Sequence, residues 1–177
     1  RKACTSCLKD GNSTGKKRMS ENESAEDVAY ETCLLDTNIL IYAHDKSDKH
    51  RQCIAENIIN ECLNGKRNFA VSSQNLAEFF AVTTGKKILS KPEATGIISD
   101  ITGFSGWIKM SYSHNIVLEA AKISEDHNMH FWDALLAATM RQNGVFRIYT
   151  ENATDFKVPW INAVNPFAGE KKAKTSR

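Results

Sequence analysis

Apolar residues between Lys49 and Leu63 recur at helical spacing: Ile54, Ile58 and Cys62 fall four apart, and Ile59 and Leu63 widen the stripe. Gly65 is placed to end that helix. Thr32-Cys33-Leu34-Leu35-Asp36 is instead a short, mostly apolar run, and it predicts a buried strand. Asp36-Thr37-Asn38 breaks it, and Ile39 to Ala43 resumes as a short helix or turn. Phe69 to Ser72 predicts a second strand, followed by a helix from Gln74 to about Thr84 with Ser73 as its N-cap and Gly85 as its stop. Pro92 and Glu93 open a further helix through Ile97, Ile98 and Ile101. Ile108 to Met110 is a weak strand signal, Asn115 to Glu125 and Phe131 to Gln142 are helices, and Val145 to Thr150 is a strand. Pro159, Asn165 and Pro166 break any long element after it. Strands alternating with helices of this length predict an α/β fold, its central sheet mostly parallel and covered on both faces.

The ends differ from this pattern. Residues 1–31 are rich in Ser, Asn, Lys, Glu and Gly without apolar periodicity and are expected to be a disordered leader. Residues 168–177 form a basic tail of net charge +3, also expected to be disordered. The whole chain of 177 residues carries a net charge of only +2, so it is no polycation; any nucleic acid would be held by a local patch or a metal. No apolar stretch is long enough to span a membrane, and no secretory signal is evident. Five cysteines are an odd number, and Cys4 and Cys7 form a CxxC with no second pair to complete a zinc site. A reducing, cytoplasmic compartment is the expectation.

Open α/β sheets bind ligands at the carboxyl ends of their strands. Three acids fall there: Asp36 after the first strand, Asp133 in the first turn of the Phe131–Gln142 helix, and Asp155 after the last strand. Glu78 is a fourth, one turn into its helix among apolar neighbours, with Gln74 and Asn75 four and three residues back on a shared polar stripe. Singly, each acid has an ordinary use as a cap, a helix-start charge or a turn residue. Together, at one sheet edge, they repel one another unless a divalent cation neutralises them. Oxygen donors without a thiolate cluster favour Mg²⁺ or Mn²⁺ over Zn²⁺. Such a site hydrolyses phosphodiesters with activated water, and Asn38 and Thr150 stand near enough to orient a ligand or water. The five histidines show no HExxH or HxH spacing, and no G-x-S-x-G elbow is present.

Leu34-Leu35-Asp36-Thr37-Asn38-Ile39-Leu40, Ser72 to Phe80, Phe131 to Ala138, Tyr149 to Phe156 and Asn165-Pro166-Phe167 are modest motifs one by one. In this order and spacing the chain resembles the PIN-domain family, in particular the VapC-like ribonuclease toxins of toxin–antitoxin pairs. The resemblance covers residues 33 to 167 and implies a three-layer α/β/α PIN-like nuclease domain over 32–167. It implies a Mg²⁺- or Mn²⁺-dependent endoribonuclease with RNA as substrate, and a cognate antitoxin. Asp36, Glu78 and Asp133 match the family's three most regular acids. Many relatives carry the fourth acid two residues after the Thr, where this chain has Asn152; the nearest acid here is Asp155, leaving both as candidates.

Other classes fit less well. A haloacid-dehalogenase-like phosphatase needs an Asp where Asn38 stands, and a receiver domain needs a Lys where the last strand offers Arg147. A catalytically inactive RNA- or protein-binding module is the alternative to the nuclease. Lys86, Lys87 and Lys91, and Lys66-Arg67, are candidate phosphate contacts beside the acids. Ile41, Tyr42, Phe80 and Trp107 are candidates for homodimer or antitoxin contacts, with core packing as their other use.

Overall fold

The computed structural model describes residues 31–168. Apart from Glu31 and Ala168, the expected leader and tail, including Cys4 and Cys7, lie outside the described residues. The elements run β1 (Cys33–Leu35), α1 (Thr37–Tyr42), α2 (Lys49–Leu63), β2 (Phe69–Ser72), α3 (Ser73–Gly85), α4 (Lys91–Gly103), β3 (Trp107–Met110), α5 (His114–His127), α6 (Phe131–Gln142), β4 (Arg147–Tyr149) and β5 (Asn162–Val164). The five strands form one sheet in the order β3-β2-β1-β4-β5, and every pairing is parallel.

Local chemistry sets the boundaries. Asp48 caps α2 by accepting from the Arg51 N–H at 3.1 Å, and the helix ends one residue before Asn64 and Gly65, the latter at φ 65°. Ser90 and Glu93 form a reciprocal capping box that opens α4, with Pro92 in its first turn. The cap of α3 is Ser72 rather than Ser73. β2 runs into α3 without a loop, so the last strand residue, still extended at φ −100° and ψ 159°, does the capping with Asn75. β5 has no counterpart among the predicted elements. It is a three-residue edge strand with an exposed Asn162, too short and too polar to leave a period-two signal.

Alternation along the strands separates two faces. Cys33, Leu35, Phe69 and Val71 point to the side carrying α1 to α4, where Ile39, Leu40, Ile58 and Phe79 fill the core. Leu34, Ala70 and Ile148 point to the other side, against Leu136 and Met140 of α6. α5 packs on α6 through Ile116, Ala120 and Ile123. The result is a three-layer α/β/α sandwich with a wholly parallel sheet, and its central strands are buried on both faces. Ile41 and Trp107 are buried in this core, and Tyr42 and Phe80 pack against it. The exposed large apolar side chains are others, among them Leu118 and Trp132.

Leu34 is fully buried on β1 with the α6 layer above it. Leu34→Ala is expected to lose about 2–5 kcal/mol in urea unfolding. Leu118→Ala, on the outside of α5, is expected to stay within about 0.5 kcal/mol of the parent.

Candidate active site

β1 lies at the centre of the sheet, and the chain leaves it for β2 on one side and returns in β4 on the other. The crevice between β1 and β4 is therefore the topological switch point, the place where open α/β sheets bind ligands. Asp36 follows β1 there, its N–H donating to the Tyr149 carbonyl of β4 at 3.0 Å. Thr150 follows β4 and donates its hydroxyl to Asp36 Oδ2 at 2.7 Å. Asp36 Oδ1 accepts from the Thr37 N–H at 2.6 Å and Oδ2 also faces the Asn38 amide at 3.4 Å. All three donors are neutral, and among the described residues no basic side chain forms an ion pair with this carboxylate. Burial raises the Asp36 pKa above its ordinary value, the hydrogen bonds from Thr150 and Thr37 oppose the rise, and the charges of Glu78 and Asp133 add to it.

Glu78 is held by a second set of bonds. Thr37 donates its hydroxyl to Glu78 Oε2 at 2.7 Å and accepts from Asn75 Nδ2 at 3.1 Å. Asn75 Oδ1 accepts from the Ser72 hydroxyl at 2.7 Å and from the Ser72 N–H at 3.0 Å. Gln74 Nε2 donates to Glu78 Oε1 at 2.9 Å and to the Trp132 carbonyl of α6 at 3.1 Å. The shared polar stripe read from the sequence is thus real, though Asn75 reaches Glu78 through Thr37. Ser72, Thr37, Asn75 and Gln74 are all buried, so this is an interior network joining β2, α1, α3 and α6.

Asp133 and Asp155 are more open. Asp133 is half-buried in the first turn of α6, and Asp155 is exposed in a 3-10 turn over Ala153–Asp155. Burial raises the Asp133 pKa, as do the neighbouring Asp155 and Glu78 charges, while His130 opposes them. Both carboxylates line one recess with Met129, His130 and Lys157. Asn152 instead turns outward, and its N–H donates to the Thr150 hydroxyl at 3.1 Å. The segment leaving β4 is fixed through Glu151. Its carboxylate accepts from the Tyr42 hydroxyl and pairs with Arg51 at 2.7 Å, and its carbonyl accepts from Asn165 at 2.8 Å. Burial and then the Glu151 contact push the Tyr42 hydroxyl up to about 12.

The basic residues singled out from the sequence stand elsewhere. Lys66 and Arg67 precede β2, at the amino edge of a parallel sheet, and Arg67 pairs with Glu61 at 3.1 Å. Lys86 lies about 12 Å further along α3 than Glu78, and Lys87 and Lys91 line a separate recess with Glu93. The cation that does share a recess with the acids is Lys157, which no motif flagged. Thr37 stands inside the Leu34–Leu40 motif, but its role was silent, since a hydroxyl that both donates and accepts between two helices leaves no spacing signature. Ser72 and Asn75 carried a usable signal, the S-x-x-N pattern of a cap.

The PIN domain family matches by sequence over residues 33–158. The chain belongs to that family. Solved structures share this PIN fold. The Mycobacterium tuberculosis toxin VapC20, described as cleaving the sarcin-ricin loop, superposes with TM-score 0.55 at 14% identity, over 68% of this chain and 91% of its own. A toxin–antitoxin complex from Klebsiella pneumoniae gives 0.53 at 20% identity, over 76% and 97%. VapBC2 from Rickettsia felis, bound to a DNA fragment from its promoter, gives 0.54 at 20%, over 76% and 98%. At these identities the likeness is one of fold. None of the curated proteins matches the chain by sequence.

The oxygen-only donor set and a half-buried carboxylate without a cationic partner suit a hard divalent cation in this PIN domain. Among the described residues no three His, Cys, Asp or Glu side chains form a ready-made cage. A hard divalent cation can be held by one or two carboxylates and otherwise by water, without a closed protein site.

Two outcomes follow from this geometry. Because burial raises the folded-state pKa of Asp36, the folded chain binds more protons than the unfolded one between the ordinary and the raised value. Stability therefore falls as pH rises through that window, and the full penalty applies above it. Asp36→Asn is expected to melt at a higher temperature than the parent near neutral pH in EDTA, the gap closing on acidification; thermal melts across pH measure this. Thr37→Val, similar in shape, leaves Asn75 Nδ2 and Glu78 Oε2 without their partner. It is expected to lose about 2–4 kcal/mol in chemical unfolding, and Thr37→Ser most of that less.

Proposed function

We propose that this PIN domain is a divalent-metal-dependent endoribonuclease, the toxin of a type II toxin–antitoxin pair. The observation that carries the reading is the Asp36 carboxylate, half-buried with neutral donors only, in electrostatic contact with Glu78 and Asp133. Asp36, Glu78, Asp133 and Asp155 would form the acidic pocket for the cation, one or two of them bound to it directly and the others through water. When bound, Mg²⁺ or Mn²⁺ supplies Lewis-acid activation of water and charge stabilisation on the phosphoryl oxygens. The chain's own residues set the geometry: Thr150, Asn38 and the Thr37 N–H orient Asp36, and Thr37 and Gln74 orient Glu78. The hydroxyls of Thr37, Thr150 and Ser72 are buried and bonded within the site, out of reach of a phosphodiester, which supports water as the attacking group. Asp155 is the fourth acid of this scheme, because it shares a recess with Asp133. Asn152 supports Thr150 through its backbone.

The fold neighbours named as toxin–antitoxin assemblies support a cognate antitoxin protein as partner. A homodimer and a cytoplasmic setting belong to the same proposal. Among the described residues no helix is long and apolar enough to cross a membrane.

The purified chain is expected to cut a mixed single-stranded and structured RNA pool internally in Mg²⁺ or Mn²⁺ and to stop in EDTA. Asp36→Asn and Asp133→Asn are each expected to reduce the rate by about 100-fold or more, in line with loss of a charge-stabilising group. Asp155→Ala is expected to fall further than Asn152→Ala. Gel analysis of the pool gives the result. RNA binding without cleavage in either metal would replace this reading with the inactive binding module.

A further inference from the structure

Trp132 is the one large apolar side chain of α6 that is 50% exposed, and it stands one residue before Asp133. α6 leads into β4, a parallel strand, so its first turn lies at the carboxyl edge of the sheet with the acids. Its place there is fixed by one amide: Gln74 Nε2 bonds the Trp132 carbonyl at 3.1 Å and Glu78 Oε1 at 2.9 Å. Gln74 is buried, and its Oε1 has no partner among the described residues. An edge-to-face contact with Phe131, centroids 5.5 Å apart, restrains the indole before any ligand arrives. An indole half in water, one residue from Asp133 at this edge of the sheet but outside the recess that Asp133 lines with Asp155, is an unfavourable surface in the free protein.

Resting on the nuclease reading above, we propose that Trp132 is a stacking platform for an unpaired nucleobase, which makes it a specificity-determining residue of this site. Unpaired bases in single strands and loops are splayed onto aromatic side chains, whereas bases inside a duplex are not available to them. A base stacked on Trp132 sets the adjoining backbone beside Asp133. Lys157, in the recess with Asp133 and Asp155, offers a cation to the neighbouring phosphate. A protein partner is favoured less by this position, because a helix covering the indole would also have to dehydrate the Asp133 and Asp155 carboxylates beside it without supplying a phosphate-like ligand.

The test is fluorescence anisotropy at fixed salt in Mg²⁺, with Asp36→Asn as the background so that RNA survives. Two labelled probes of equal length are used: oligo(A), and a fully abasic ribose–phosphate chain. Stacking is worth roughly 5- to 100-fold in affinity per base. Adding Trp132→Ala is expected to weaken oligo(A) by that factor and to leave the abasic chain unchanged, while Trp132→Phe retains most of the oligo(A) affinity. Circular dichroism confirms that each variant is folded. Unchanged oligo(A) affinity in Trp132→Ala overturns the inference, as does an equal loss of both probes, or a Trp132→Phe protein as weak as the alanine variant. If oligo(A) binds the background protein and the parent cuts RNA, such a result removes only the role of Trp132. If neither probe binds any of the proteins and the parent does not cut, the nuclease reading fails with it.

Discussion

Asp36 is the last thing the central strand delivers before the chain turns into α1, and its carboxylate is half-buried with two other acids close by. Hydrogen bonds from a backbone N–H and a threonine hydroxyl ordinarily pull a carboxylate pKa down. Here burial and the neighbouring charges outweigh them. Much of the surrounding architecture can be understood as what holds that charge in place. Thr150 arrives from β4, Thr37 and Asn38 come from the first turn of α1, and the Asp36 N–H ties β1 to β4. None of these groups neutralises the charge. They orient it, and the neutralising charge is left for something that binds.

The interior network around Glu78 makes that orientation stiff. Each member has a valence that few replacements satisfy. Thr37 has to donate to a carboxylate and accept from an amide with one hydroxyl, and Asn75 has to cap α3 with its carbonyl while its amide reaches α1. A buried network of this kind is stabilising only when every member is satisfied. It is nearly so, the Gln74 Oε1 excepted. α1, the continuous β2–α3 segment and α6, distant in sequence, are therefore locked to one another by side chains within a few ångströms of the acids, and the Tyr42–Arg51–Glu151 cluster does the same for the segment leaving β4.

Most of the fold was legible because its elements obey simple periods. β1 and β2 are apolar runs between breakers, and α6 runs from Phe131 to Gln142 as its apolar face and the Asn143-Gly144 stop predict. What was not legible has physical reasons. β5 is three residues on an edge, held by pairing to β4 and not by its own composition. Ser73 looked like the cap because a strand residue is not expected to serve as one. The acids could be found from strand ends and helix starts, since parallel topology gathers those positions. The roles of the residues between them could not: Thr37 and Trp132 stand inside the sequence motifs and Lys157 outside them, but the contacts that place them cross the fold and leave no trace in one sequence. Lysine runs misled for the converse reason, because Lys66 and Lys86 are near the acids along the chain and away from them in space.

The site is uneven, and the unevenness has a direction. Asp36 and Glu78 have protein donors on both oxygens, whereas Asp133 and Asp155 accept no hydrogen bond among the described residues and face an open recess. Lone pairs already bonded to the protein are fixed in direction but less available. Lone pairs without a protein donor must be met by water or by a ligand. The site thus runs from a rigid floor under β1 and α3 to an open rim on α6 and the turn after β4. On the proposed reading, a cation from solvent would meet the unsatisfied carboxylates before the oriented ones. That order follows from where the chain crosses over: the floor is built of residues at the ends of buried central strands, and the rim of residues in a helix start and a surface turn, where side chains keep contact with water and remain free to meet whatever the rest of the site holds ready.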